Sequence, residues 1–267
     1  MSQALLRRRM ALLDELRQIV NAMRNMSIAA LQHLGKAAQV EKESEQLLLQ
    51  ALADTGIKLP EPTGTGICLV IGSEHGFCGG FNDRLADFMK NFLAENPSMT
   101  CYIAGSRLSP LLVSDIKHFV VLKGCADMME AVDTVSGWMD ELLIDREVFS
   151  PLTVIYQDEE GVKVRRLLPL PILPEASSGV PPLRYLPDRS LQAGLLSEWL
   201  RLALLSSLTR SLTIEHRWRI SQMQRAEQYL DETGLQLRGT MQRQRQNEIT
   251  IELENLMSAL QAGVSRF

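Results

Sequence analysis

The sequence predicts an α/β protein in which two long terminal helices flank a small central domain with a mainly parallel sheet. Three observations predict it. Residues 5–52 contain no proline and carry apolar side chains at heptad spacing, residues 191–262 again contain no proline, and the segment between them alternates short apolar runs with helix-period stretches. The boundaries fall at 1–57 for the first helical segment, 58–189 for the α/β domain and 190–267 for the second helical segment.

In the first segment, Leu12, Leu16, Ile19, Met23, Met26, Ala30, His33, Ala37, Val40, Ser44, Leu47 and Ala51 step alternately by four and three, the spacing of a coiled-coil seam. A helix of this extent is about 70 Å long at 1.5 Å per residue, so most of it must pack on something other than its own domain. The central segment opens with the run Gly66-Ile67-Cys68-Leu69-Val70-Ile71, ended by Gly72. A helical stretch over 81–93 follows, then Cys101-Tyr102-Ile103-Ala104 ended by Gly105, and then Phe119-Val120-Val121-Leu122. A second helical stretch over 127–143 precedes Leu152-Thr153-Val154-Ile155-Tyr156, which can pair as a hairpin with 162–168 across Asp158-Glu159-Glu160-Gly161. The proline-rich stretch 169–187 connects to the last helix, for which Pro187-Asp188-Arg189-Ser190 offers turn and cap chemistry ahead of Leu191. That helix would be about 100 Å long if unbroken. Gly234 and Gly239 mark a place for a kink or a close helix contact, and the seam traced back from Ile249 through Gln246, Gln242 and Gly239 to Leu235 is polar in its middle.

Composition and motifs exclude much chemistry. A 267-residue chain that is 45% hydrophobic and 22% charged can bury a core, and a net charge of −4 argues against nonspecific binding to nucleic acid. The ends are the less acidic parts, and Arg7-Arg8-Arg9 with Arg238, Arg243 and Arg245 are either solvated helix faces or partner contacts. Cys68, Cys78, Cys101 and Cys125 form no CxxC pair, which favours reduced intracellular thiols over a zinc or disulfide framework. No stretch is apolar enough for a signal peptide or a span of roughly 20 residues. There is no Walker A loop, no HExxH and no GxSxG, and Gly64-Thr65-Gly66 lacks the third glycine of a dinucleotide fingerprint, where Leu69 stands. His75 beside Cys78 lacks an orienting third group. The densest feature is the loop Ser73-Glu74-His75-Gly76-Phe77-Cys78-Gly79-Gly80-Phe81-Asn82, whose glycines serve either turn geometry or a close approach of something to the backbone.

Gly76-Phe77-Cys78-Gly79-Gly80-Phe81-Asn82 resembles the GLCGGxN signature of the gamma subunit of F-type ATP synthases. Three further matches follow in the family's order across essentially the whole chain. Ile19-Val20-Asn21-Ala22-Met23-Arg24 resembles its ITKAM segment, Leu167-Leu168-Pro169-Leu170-Pro171 its LLPLP strand, and the run from Arg243 to Leu253 its ARQxxITxEL. The resemblance implies a central rotor shaft. The terminal helices would form an antiparallel coiled coil inside a ring of alternating alpha and beta subunits, and the α/β domain would sit against epsilon and the c-ring. It implies Met23 and Arg24 as contacts to beta, and Arg245, Gln246 and Thr250 as contacts to loops of the ring. Gly76, Gly79 and Gly80 would form a structural turn. It implies no catalytic residue, cofactor or metal on this chain, no nucleic acid, no direct membrane insertion, and a place on the cytoplasmic face of a bacterial inner membrane reached through the complex. Asn21 stands where the family has lysine, the stretch after Met23 carries fewer cations, and Asn247-Glu248 adds an acid, which implies a divergent bacterial version. Two other readings fit the elements alone: a free-standing coiled-coil scaffold or assembly protein, and an α/β protein that binds a small ligand at the glycine loop.

Overall fold

The computed structural model describes residues 3–56, 64–113, 116, 118–142, 150–176 and 183–264. Helix α1 (Gln3–Thr55) opens the chain and α5 (Asp188–Val264) closes it. Between them lie β1 (Ile67–Ile71), α2 (Phe81–Glu95), β2 (Thr100–Ala104), α3 (Ser109–Leu112), β3 (Phe119–Leu122), α4 (Met128–Leu142), β4 (Leu152–Asp158) and β5 (Gly161–Leu168). The one-turn α3 has no counterpart in the sequence reading; four residues are too few to show a helical period.

The five strands form one sheet in the order β3-β2-β1-β4-β5. The first four are parallel neighbours, and β5 returns antiparallel to β4 across Glu159-Glu160, with Gly161 at φ 118°. Helices cover both faces, which is why β1 reads as a continuous apolar run. Cys68 and Val70 of β1 point into a core with Phe81, Leu85 and Met89 of α2. Leu69 and Ile71 point the other way, toward Trp138 of α4, Leu34 and Leu52 of α1, and Trp199, Leu204 and Leu208 of α5. The connector is held where it is described: Gln50 donates to the Glu175 carbonyl at 2.9 Å, and Arg184 bonds both the Thr55 carbonyl and Asp188.

The chain divides into two compact units, residues 26–220 and residues 1–25 with 221–267. Inside the second unit the direction of the helices follows from two ion pairs. Arg17 pairs with Asp231, and Arg24, seven residues further along α1, pairs with Glu227, four residues back along α5. The helices are therefore antiparallel, and Met223 and Leu230 of α5 and Leu6 of α1 are buried.

The heptad spacing on α1 is present, but the inward row lies one residue after the expected seam. Leu6, Met10, Leu13, Arg17, Val20 and Arg24 form the shielded row of the first part, with Asn21 and Met23 half-buried beside it, and Ser27, Leu31, Leu34, Ala38, Glu41, Glu45, Leu48 and Leu52 form that of the remainder, flanked by the half-buried Ala30, Ala37 and Ser44. The seam assigned from apolar spacing is instead largely exposed: Leu12, Ile19, Met26, Val40 and Leu47 have between 54% and 73% of their surface free. The reason is charge pairing. The inward row carries Arg17, Arg24, Glu41 and Glu45, and each meets a complementary group: Asp231, Glu227, the Thr209 hydroxyl and Arg165. On α5 the shielded row is Met223, Glu227, Leu230, Gly234, Leu237, Met241 and Gln244, again rotated from the expected Leu235, Gly239 and Gln242. The helix runs unbroken through Gly234 and Gly239, and a Cβ at either would meet no described atom within 4 Å, so neither marks a close contact.

Candidate functional site

The glycine loop sits at the carboxyl ends of the parallel strands, where an open α/β sheet would offer a ligand crevice beside the strand at which the order reverses. Here side chains of the chain itself tie the strand ends to the neighbouring helices. Gln157, at the end of β4, donates to the Phe81 carbonyl at 2.6 Å. Asn82, in the first turn of α2, accepts from the Ser73 amide at 3.0 Å and donates to the Ser73 hydroxyl at 2.7 Å, tying α2 to the end of β1. Ser211 of α5 donates to the Ile71 carbonyl at 3.4 Å, so α5 lies across the strand end.

Among the loop glycines, Gly79 has φ 57° and Phe77, which is exposed, has φ 62°. The left-handed conformation at Gly79 is the one that a side chain would oppose. Gly80 precedes α2 and leaves room for a Cβ; Gly76 also has open space, and its carbonyl accepts from Arg219 Nε at 3.4 Å. Cys78 is buried beside Ser73 Oγ at 3.3 Å, and burial pushes its thiol pKa up. It faces the backbone carbonyl of His75 rather than the exposed imidazole, so the two do not form a thiol and base pair.

A second set of glycines holds the three strand ends together. A Cβ on Gly105, which has φ +105°, would fall 2.7 Å from the Gly72 backbone, and one on Gly124 would fall 2.4 Å from Glu74 Oε2. That carboxylate accepts from the amides of Ser106 and Gly124, each at 3.1 Å. Sequence reading noted Gly72 and Gly105 only as strand ends; the glycine after each apolar run was the available signal.

Under the loop, α5 presents a buried polar cluster. Arg219 bonds Glu215, four residues back on the same helix, and its Nη1 meets His216 Nδ1 at 3.1 Å. A guanidinium only donates, so Nδ1 accepts and the proton of the neutral imidazole sits on Nε2, which has no partner among the described residues. Burial raises the Glu215 carboxyl to about 7 against the pull of Arg219, and Glu74 adds to the rise. Burial first, and then Arg219, hold the His216 imidazole down to about 4. One residue from Arg219, the Trp218 ring lies under the Arg84 guanidinium at 4.7 Å. None of these α5 residues was singled out from sequence as a site.

The residues expected to meet partners divide differently. Met23 and Arg24 are both half-buried, Met23 one residue from the inward row and Arg24 on it, paired with Glu227. Arg245, Gln246 and Thr250 are exposed, with the Thr250 hydroxyl turned back to the Gln246 carbonyl at 3.0 Å. No residue from 245 to 257 is buried. Among the described residues, no group of His, Cys, Asp or Glu is arranged to hold a metal ion, and no helix is long and apolar enough to cross a membrane.

A family model described as ATP synthase matches residues 2–262. The chain belongs to the ATP synthase gamma-chain family. It is 24% identical to the ATP synthase gamma chain of Sinorhizobium fredii over 96% of this chain and 98% of that one. The gamma chain of Geotalea daltonii is 26% identical over 92% and 93%. The fold matches a chain from the Euglena gracilis mitochondrial ATP synthase structure of OSCP, F1 and c-ring, with a TM-score of 0.66 at 14% identity over 97% of this chain and 94% of that one. A chain of the Euglena rotor gives 0.63 at 13% identity over 92% and 98%. In this ATP synthase family member the strand ends, the glycine loop and α5 are tied together by buried polar contacts.

Proposed function

We propose that this chain is the central rotor shaft of an F-type ATP synthase, coupling ion flow through the membrane sector to ATP synthesis or hydrolysis on other subunits. It works within a complex of ATP synthase subunits that is associated with a membrane. The observation that carries the reading past family membership is the outward apolar row on α1. A helix whose polar pairs face inward while Leu12, Ile19, Met26, Val40 and Leu47 face out is built to be enclosed. The end of α5 adds to this, because no residue from 245 to 257 is buried.

In this reading the segments 1–57 and 190–267 are the shaft and 58–189 the foot. Alpha and beta subunits surround the shaft, epsilon and the c-ring hold the foot, and the complex lies on the cytoplasmic face of a bacterial inner membrane. Met23 and Arg24, both half-buried, meet beta through the parts of their side chains left exposed, Arg24 beside its pair with Glu227. Arg245, Gln246 and Thr250 meet loops of the ring, and Gly76, Gly79 and Gly80 shape the turn at the foot. An asymmetric shaft acts by differential contact: as it turns, each surrounding site meets a different face, and its preferred conformation changes with the contact.

Co-expression with alpha and beta subunits from the same genome tests this. The expected result is one copy per alpha-beta hexamer and an ATPase rate that depends on the chain. A chain that purifies alone and never joins the hexamer overturns the reading. Within an assembled complex, Gln246→Ala with Thr250→Ala is expected to lower coupled ATP turnover; unchanged turnover removes these residues from the contact set.

A further inference from the structure

A shaft that carries torque needs its helix fixed in rotation against the domain that turns it. Most of the interface between α5 and the sheet is apolar, through Leu196, Trp199, Leu204, Leu208 and Leu212. Apolar contact is strong but non-directional, and resists separation better than slippage. Directional contacts punctuate the interface: Arg165 donates to the Ala203 carbonyl at 3.4 Å, Ser211 to the Ile71 carbonyl at 3.4 Å, and Arg210 pairs with Asp158 at 3.3 Å, but the most deeply buried cation among these ties stands at the end of the interface. Arg219, with only 8% of its side chain exposed, uses Nη2 on Glu215, Nη1 on His216 Nδ1 and Nε on the Gly76 carbonyl. The first two fix the guanidinium on its own helix; the third reaches across to the glycine loop. The planar guanidinium, pinned by the first two, aims Nε at the Gly76 carbonyl 3.4 Å away, so the tie sets direction as well as distance. Two residues further on, at Ser221, α5 passes into the other compact unit, so among the described residues Arg219 is the last polar tie of the helix to the α/β domain before that boundary.

We propose that Arg219 is the rotational lock of the shaft: a positioning residue that holds α5 in register on the glycine loop so that torque passes between the foot and the helix. The proposal rests on the rotor reading and adds the residue through which the two parts are coupled. The neighbouring Arg217, exposed and paired with Glu159 at 2.7 Å, makes no such buried tie. Trp218 beneath Arg84 supports the same turn of helix by stacking, a contact that fixes distance more than direction.

The test uses the complete complex reconstituted in vesicles, with ATP hydrolysis and the membrane potential it generates measured together. The expected result for Arg219→Ala is a fall of roughly threefold or more in potential generated per ATP hydrolysed. Leu212→Ala, a cavity in the apolar part of the same interface, supplies the control at comparable loss of thermal stability and is expected to keep the ratio. Glu215→Gln retains an oxygen acceptor for Arg219 and is also expected to keep it. An unchanged ratio in Arg219→Ala overturns the proposal, as does an equal fall in Leu212→Ala, which would make the effect one of general stability. If Arg219→Ala does not assemble, Arg219→Met is measured in its place, since it keeps an aliphatic stem of similar length while removing every donor, and it is expected to show the same fall. Failure of both to assemble, while Leu212→Ala assembles, makes Arg219 an assembly residue and equally overturns the lock. Failure of the rotor reading is distinguishable, because there the wild-type chain itself does not enter the hexamer or is not needed for turnover.

Discussion

Glu215 and His216 are adjacent buried groups whose pKa values move in opposite directions, and replacing one should expose the pH dependence of the other. Glu215 rises from 4.5 to about 7, so its ionised form is penalised in the fold. The stability associated with its protonated form is complete below 4.5 and is lost as pH rises through 7, an amount of about 3 kcal/mol at 1.36 kcal/mol per unit. His216 falls from 6.5 to about 4, so its charged form is penalised. Its contribution is complete above 6.5 and is lost as pH falls through 4, again about 3 kcal/mol. Between 6.5 and 4.5 the two changes oppose each other, and in the wild type they largely cancel. The surrounding charged groups are Arg219 on the same helix, Glu74 on the loop and Asp127 ahead of α4, with the neutral Cys78 thiol beside them. Glu215→Gln removes one side of the balance. Its stability is expected to drop by about 3 kcal/mol on acidification from 6.5 to 4, while His216→Gln is expected to gain a similar amount from 7 to 4.5. Urea unfolding at each pH, followed by the fluorescence of the buried Trp138 and Trp199, reads the effect. A flat profile for Glu215→Gln, or a loss on acidification for His216→Gln, would refute the reasoning.

Gly105→Ala sets a Cβ against the Gly72 backbone at a positive φ and is expected to cost roughly 2 kcal/mol or more, whereas Gly76→Ala, with open space, should stay within about 0.5 kcal/mol. Equal thermal shifts for the two would remove the argument for close strand-end packing. The antiparallel register predicts that cysteines at 17 and 231 crosslink under mild oxidation well before cysteines at 17 and 227, about 6 Å further along the helix; the reverse order on a non-reducing gel would overturn the register. Leu34→Ala, in the core, is expected to destabilise by about 2–5 kcal/mol, and the exposed Leu47→Ala by no more than about 0.5 kcal/mol in the free chain. Comparable unfolding midpoints would restore the apolar row as the inward one.

That last contrast shows what the sequence could and could not carry. Strands β1 to β5, helices α1, α2, α4 and α5, and the β4-β5 hairpin were legible because each is specified by local period and by the glycine or proline that ends it. The face of α1 was not, for a physical reason. Reading apolar residues as inside assumes that a helix has one partner, its own domain. On α1 the inward row is partly charged because α5 and β5 supply Asp231, Glu227 and Arg165 at matching positions, and such matches between residues more than a hundred positions apart leave no local trace. The polar joint was hidden in the same way. Glu74 meets amides 32 and 50 residues away, and Arg219 meets a carbonyl 143 residues away, so neither side chain is distinguishable in sequence from an ordinary surface charge. The inward row is itself apolar at Leu6, Leu13, Leu34 and Leu52, so α1 carries two adjacent apolar rows, and only long-range charge pairing decides which of them the chain buries.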